Sequence, residues 1–279
     1  ATAIAFGGPG AIFWMWVIAL VGMATGFVEA TLAQLFKQRD DKGQFRGGPA
    51  YYMEKGLGQR WAGTMFSIFL IIAFGFAFNS VQSNTIAGAM VGAFELDMGS
   101  FTLGGNEVGV AALVVGLAVT VLTAVIIFGG LRSIARFSEL AVPFMAVGYL
   151  VVAVGIIIAN IGEVPGVLAM IVKSAFGFHE AAAGGIGAAI LNGFKRGLFS
   201  NEAGMGSAPN AAAAATPYPP HPASQGYVQM AGVFIDTILI CTASAAIILL
   251  AGPVEGTGVT LVQNALTSEV GGWGKYFLA

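Results

Sequence analysis

Long apolar runs alternate along this chain with short polar or glycine-rich joints. Residues 11–36, 61–94, 108–130, 138–160 and 225–250 are each close to one bilayer thickness or longer. A helix needs about 20 mostly apolar residues to cross the hydrocarbon core, and only helices or closed barrels can do so. The pattern therefore predicts an all-α polytopic membrane protein. Before the first run, residues 1–6 read as the end of a helix stopped by Gly7-Gly8-Pro9-Gly10. Trp14 and Trp16 fit an interfacial belt. Residues 161–180 read as a connection with an amphipathic piece at 165–178. Residues 216–222 read as a Pro-rich turn, and residues 251–275 as a Gly-rich loop leading into the opening of another helix.

One run breaks the pattern. Residues 191–210, LNGFKRGLFSNEAGMGSAPN, follow a small apolar stretch and precede an alanine run, yet carry Asn192, Lys195, Arg196, Ser200, Asn201 and Glu202. Gly204, Gly206, Ser207 and Pro209 then weaken any helix within six residues. Both features follow if a helix spanning about 183–215 is broken near mid-membrane and lines a water-filled site. Its first half would end in exposed carbonyls for a cation, and its second would begin with free N–H groups for a carboxylate. Gly204 and Gly206 would admit a ligand close to the backbone, and Phe199 would cap a small side-chain pocket. The competing reading makes Gly193 and Gly197 a helix-packing face and lets Lys195 and Arg196 snorkel.

Two more clusters interrupt the spans. Asn79, Gln82 and Ser83 share one helix face at i, i+3 and i+4, with Ser80 and Asn84 on a neighbouring face. Amides are costly in lipid, so they should point into the bundle, either toward a substrate or into interhelical hydrogen bonds. Asp236 sits among Thr237, Thr242 and Ser244, with Gln229 seven residues earlier. It is a coupling candidate, or an ion-pair partner for Lys195 or Arg196 across the bundle. Glu29 and Glu139 lie nearer helix ends, where snorkelling or pairing with loop arginines is expected.

Composition narrows the class. The chain is 57% hydrophobic and 9% charged, against about 25% charged in soluble domains. A net charge of −2 without a basic tract excludes a nucleic-acid partner. Cys241 is the single cysteine, so no disulfide framework exists. His179 and His221 fall on opposite sides of the membrane, and no metal site is predicted. HExxH, GxSxG and Walker A signatures are absent, so no enzyme is expected. Glycine at 41 of 279 residues implies close helix packing and broken segments. The chain opens without Met inside an apolar stretch, no charged n-region of a signal peptide is visible, and it is expected to be a piece of a longer transporter-sized protein.

Basic residues orient the spans. Joint 37–60 holds Lys37, Arg39, Lys42, Arg46, Lys55 and Arg60, and joint 131–137 holds Arg132 and Arg136. The joints on the other side hold Lys173 and Lys275. The bias puts 37–60, 131–137 and 216–225 in the cytoplasm.

At GGPGAIFWMW (7–16), GGPAYYMEKGLG (47–58), KRGLFSNEAGMGSAPNAAAAA (195–215) and GVFIDTILICTA (232–243), the chain resembles the alanine/glycine:cation symporter family of the amino-acid–polyamine–cation superfamily. The resemblance covers nearly the whole chain. It implies a leucine-transporter-like inverted-repeat fold in one transmembrane domain, 1–279, with 1–160 in the first repeat and 183–279 opening the second. It also implies Na⁺-coupled uptake of alanine or glycine across a prokaryotic cytoplasmic membrane by alternating access, without a cofactor. The substrate would be held by Phe199, Ser200, Asn201, Glu202, Gly204 and Gly206 of the sixth helix, with Asn79 and Gln82 on the third. The family's Gly-Asn stretch of the first helix precedes Ala1 and the eighth helix stops at Ala279, so most sodium ligands are expected outside this sequence. The alternatives are a proton-coupled carrier of another small amino acid, a channel, or an intramembrane enzyme using Glu202 and Asp236.

Overall fold

A computed structural model describes residues 1–41, 43–177 and 185–279, with Leu131 as backbone alone. Lys42, His179, Glu180 and the 183–184 start of the interrupted helix lie outside the described residues. Among those described, five helices have the length and composition to cross a membrane: Gly10–Leu35, Arg60–Phe94, Val110–Phe128, Arg132–Ala159 and Pro222–Leu250. Helices of this length and composition are those of an integral membrane protein.

Several boundaries depart from the sequence pattern. Residues 131–137 are not a loop: the helix Gly130–Ala159 begins there, directly after a turn at Gly129 and Gly130, the latter at φ 77°. A helix, Val259–Val270, occupies the stretch expected to be a Gly-rich loop. Its apolar residues Leu261, Val262, Ala265 and Leu266 follow helical spacing and are buried. Two antiparallel ribbons also appear, Gln38–Arg39 with Phe45–Arg46 and Ser100–Leu103 with Asn106–Gly109. Two spans carry π-helical turns, Ala73–Phe78 and Phe234–Ile240.

The chain divides into two compact units. The first comprises 1–5, 79–169 and 243–279, and the second 6–78 and 170–242. The first unit has an aliphatic core in which Ala153 and Ile156 meet Ile247, Ile248, Leu261, Ala265 and Leu266. Polar links tie its edges: Asn160 Nδ2 donates to Glu269 at 2.7 Å and Gln263 Nε2 to the Ala89 carbonyl at 3.0 Å. Lys275 and Glu95 pair at 2.6 Å. The pair holds the Glu95 carboxyl below its ordinary range and the Lys275 ammonium above it.

The second unit is packed backbone to backbone. Gly10–Leu35 lies against Gly185–Asn201 and against the Pro222–Val233 part of the last span. A Cβ on Gly193 would meet the Ala11 carbonyl oxygen and the Trp14 Cβ at 2.6 Å each, and one on Gly197 would strike Ile18. The packing-face reading of Gly193 and Gly197 is thus correct for these two residues. The Trp14 indole donates to the Ala175 carbonyl (3.2 Å) and the Trp16 indole to Thr242 Oγ1 (2.8 Å), so both rings anchor protein groups.

Gly193→Ala is therefore expected to cost about 1–3 kcal/mol through overpacking and to lower the thermal unfolding midpoint in detergent. Gly187→Ala, on the same helix but facing open space, should leave that midpoint unchanged or slightly raised.

Candidate functional site

The interrupted helix is real. Its first half is Gly185–Asn201 and its second Ser207–Ala214. Neither half alone has the roughly 20 residues of a span. Between them Glu202 (φ 54°), Gly204 (φ 85°) and Gly206 (φ 83°) adopt left-handed backbone. For Glu202 that conformation costs about 1–2 kcal/mol, whereas glycine adopts it freely. Gly206 has a second reason to be glycine, because any Cβ there would strike the Phe66 ring.

The donors of the residues linking the two halves are taken up within the protein. Ala203 N–H donates to Asn201 Oδ1 at 3.0 Å, Gly204 N–H to Glu29 Oε2 at 2.9 Å, and Met205 N–H to the Glu202 carbonyl at 3.0 Å. Ser207 Oγ donates to the Glu202 carboxylate, which sits at the start of the second half-helix. That is where a negative charge is favoured by the exposed N–H groups. The far end of this half-helix is held too: Gln34 Nε2 donates to the Ala212 and Ala215 carbonyls and Lys37 Nζ to Ala215 at 2.9 Å. Burial, with Arg39 nearby, lowers the Lys37 ammonium from its ordinary range.

A polar knot joins the end of the first half-helix to the π-helical turn of the last span. Ser200 Oγ donates to Asp236 Oδ2 at 2.5 Å, as does Thr237 Oγ1 at 3.1 Å. Asn201 Nδ2 donates to Thr237 Oγ1 at 3.1 Å, and Cys241 Sγ lies 3.2 Å from Ser200 Oγ. The ion pair of Asp236 with Lys195 or Arg196 is not formed: among the described residues the ion pairs are Arg46–Asp40 and Lys275–Glu95. Lys195 is exposed, and the buried Arg196 Nε has no hydrogen-bond partner. Thr237 is fully buried, so the knot is packed as well as hydrogen-bonded.

Phe199 faces an aromatic ladder. Its ring stacks on Phe78 (4.6 Å between centroids, 12° between planes), and Phe78 stacks on Phe74 (4.3 Å, 20°). Asn79 and Gln82 lie on the next turns of the same span but belong to the first unit, where both are exposed. Phe78, the last residue of a π-helical turn, carries this span to Phe199.

Sequence reasoning missed Glu29, Phe66, Phe78 and Tyr52. For Glu29 the sequence suggests snorkelling or pairing with loop arginines, yet its carboxylate accepts the Gly204 N–H. The signal was available, since Glu29 is the one ionisable residue in Gly10–Leu35 and such a residue is functional by default. Tyr52 lies on the connecting helix Pro49–Leu57. Burial, with the Glu29 carboxylate adding to it, pushes its phenol up to about 12.

Two outcomes follow. Glu29→Ala should destabilise the protein by about 1 kcal/mol, the net worth of one hydrogen bond partly open to water, whereas Glu29→Gln retains an acceptor oxygen and most of that stability. Thermal unfolding in detergent measures both. Because the neutral phenol is the form favoured on folding, the stability it confers is complete below the ordinary pKa of 10.0 and is lost as pH rises through about 12. Absorbance at the phenolate band should show a late-titrating component that Tyr52→Phe diminishes.

The family model described as the sodium:alanine symporter family matches residues 1–279. An amino-acid carrier protein of Bacillus subtilis, AlsT, is 53% identical over 280 residues, covering 100% of this chain and 57% of the relative. A probable sodium/glutamine symporter of the same organism, GlnT, is 51% identical, covering 100% of this chain and 55% of the relative. The sodium/alanine symporter AgcS of Methanococcus maripaludis is 42% identical, covering 95% and 56%. The chain thus spans just over half the length of the curated relatives it matches. With an interrupted helix whose break is held by a carboxylate from a neighbouring span, and with this match along its whole length, the chain belongs to the sodium:alanine symporter family.

Proposed function

We propose that this chain supplies the substrate-binding break of a Na⁺-coupled carrier of small neutral amino acids, alanine or glycine, working by alternating access. The observation that carries the reading is the exposed backbone of Gly204, held open by Glu29, Asn201 and Glu202 beside the Ser200–Asp236 knot. Substrate would sit at Phe199–Gly206, with the Phe199 ring, stacked on Phe78, limiting side-chain size. Asp236 offers the negative charge that a cation needs, either Na⁺ or the substrate ammonium, and Ser200 and Thr237 orient it. Lys195 and Arg196 have no direct part in this reading, and Asn79 and Gln82 remain candidates on the third helix of a leucine-transporter-like fold. In that fold 1–160 would lie in the first inverted repeat and 183–279 in the second.

The orientation proposed from basic residues puts 37–60, the turn at Gly129–Gly130 with Arg132 and Arg136, and 216–225 in the cytoplasm. Sodium binding would favour the substrate-receptive state, and rocking of the bundle would then release both to the inside of a prokaryotic cytoplasmic membrane. Names borne by relatives extend to glutamine, so side-chain size is the property to test.

The intact protein in liposomes, loaded with labelled alanine outside, should take it up under an inward Na⁺ gradient and lose most uptake when K⁺ replaces Na⁺. Glycine should compete and glutamine should compete less. Asp236→Asn and Phe199→Ala should each reduce uptake by about tenfold or more, the scale of one buried polar or aromatic contact. Uptake driven by a pH gradient instead would reassign the coupling ion. Full uptake in both variants would refute the site.

A further inference from the structure

Away from the break, the turn between Val110–Phe128 and Gly130–Ala159 encloses an open cavity of about 460 Å³. Its lining is divided by chemistry. Arg132, Ser133 and Arg136 form the polar part, and Ile126, Phe137 and Leu140 the apolar part, with Gly129 at the turn itself. Arg132 and Arg136 stand one helical turn apart and so present both guanidinium groups to one side. The turn needs glycine here, because a Cβ on Gly129 would lie 2.5 Å from Ser133 Cβ and 2.6 Å from its hydroxyl.

Two features point to an anionic occupant. Neither arginine takes part in either of the ion pairs found among the described residues. The nearest acid along this helix, Glu139, lies one turn beyond Arg136 and pairs with neither. Two guanidinium forks with a hydroxyl between them match the oxygens of a phosphodiester. The first-turn N–H groups of the helix add to the same positive field.

Two features point to lipid rather than to a free anion. The cavity lies where one membrane-length helix ends at Phe128 and the next begins at Arg132, which is the depth of the headgroups. Its apolar wall continues along the same helix to Leu140 and Phe144, 79% and 82% exposed, where an acyl chain would run.

We infer that Arg132, Ser133 and Arg136 bind the phosphodiester headgroup of an anionic membrane lipid, with its chains lying along Ile126, Phe137, Leu140 and Phe144. This does not depend on the substrate or ion assigned above.

Native mass spectrometry of the intact protein in detergent tests it, using phosphatidylglycerol, phosphatidylcholine and inorganic phosphate as probes. Phosphatidylglycerol should be retained in preference to phosphatidylcholine. The double substitution Arg132→Gln, Arg136→Gln should cut that preference by roughly five- to tenfold for each arginine. Millimolar phosphate should not displace the lipid. An Arg132→Lys, Arg136→Lys protein, which keeps charge and loses the forks, should retain an intermediate preference and serves if the glutamine protein fails to fold. Equal retention of the two lipids by the unsubstituted protein, an unchanged preference in both substituted proteins, or displacement by phosphate overturns the assignment.

Discussion

A helix interrupted inside a bundle of membrane helices releases backbone donors that lipid cannot satisfy, so every such interruption must bring its own partners. Here the critical partner is Glu29, whose carboxylate accepts the Gly204 N–H from a neighbouring span. Asn201 and the Glu202 carbonyl take the two flanking donors, and Gln34 and Lys37 take the carbonyls at the far end of the second half-helix. The donors of the linking residues are therefore taken up before any ligand arrives. A ligand entering it has to work with what is left exposed, chiefly the Gly204 backbone and the side chains around it.

Close packing of Gly10–Leu35 is what lets Glu29 reach. Gly193 and Gly197 allow the first half-helix to lie against this span at backbone distance, and Gly226 does the same for the last span, where a Cβ would strike Thr31 and the Phe27 ring. Small residues thus act in two ways in the second unit. At Gly193, Gly197 and Gly226 they let helices approach, and at Gly204 and Gly206 they let the chain turn left-handed. Composition alone reports both as one excess of glycine.

The π-helical turns place the remaining chemistry. Phe234–Ile240 contains Asp236 and Thr237, and Ala73–Phe78 ends at the ring that stacks on Phe199. A π-helical turn inserts a residue into the helical register and re-aims the side chains next to it, which is why such turns gather at functional sites. Their sequences, FIDTILI and AFGFAF, are apolar and helix-compatible and carry no marker of the change in register.

The sequence by itself determined the five apolar spans among the described residues, though not where the fourth begins, and the position of the broken helix. It also determined the all-α class, because bilayer thickness and the cost of polar groups in lipid are written directly into residue order. The residues of the break, Phe199 to Gly206, were legible for the same reason: polar and helix-weakening residues coincide there. What the break's partners would be was not legible. Glu29 lies 175 positions from Gly204, and only packing decides that its carboxylate reaches a backbone N–H rather than snorkelling to a helix end. Asp236 likewise had charged and hydroxyl partners open to it, and the tertiary structure chose Ser200 and Thr237 over Lys195 and Arg196. The helix at Val259–Val270 was hidden by flanking glycines and shows itself only where its apolar face meets the core. Local pattern fixes what must be buried or broken, whereas which groups satisfy one another depends on distances that only the folded chain sets.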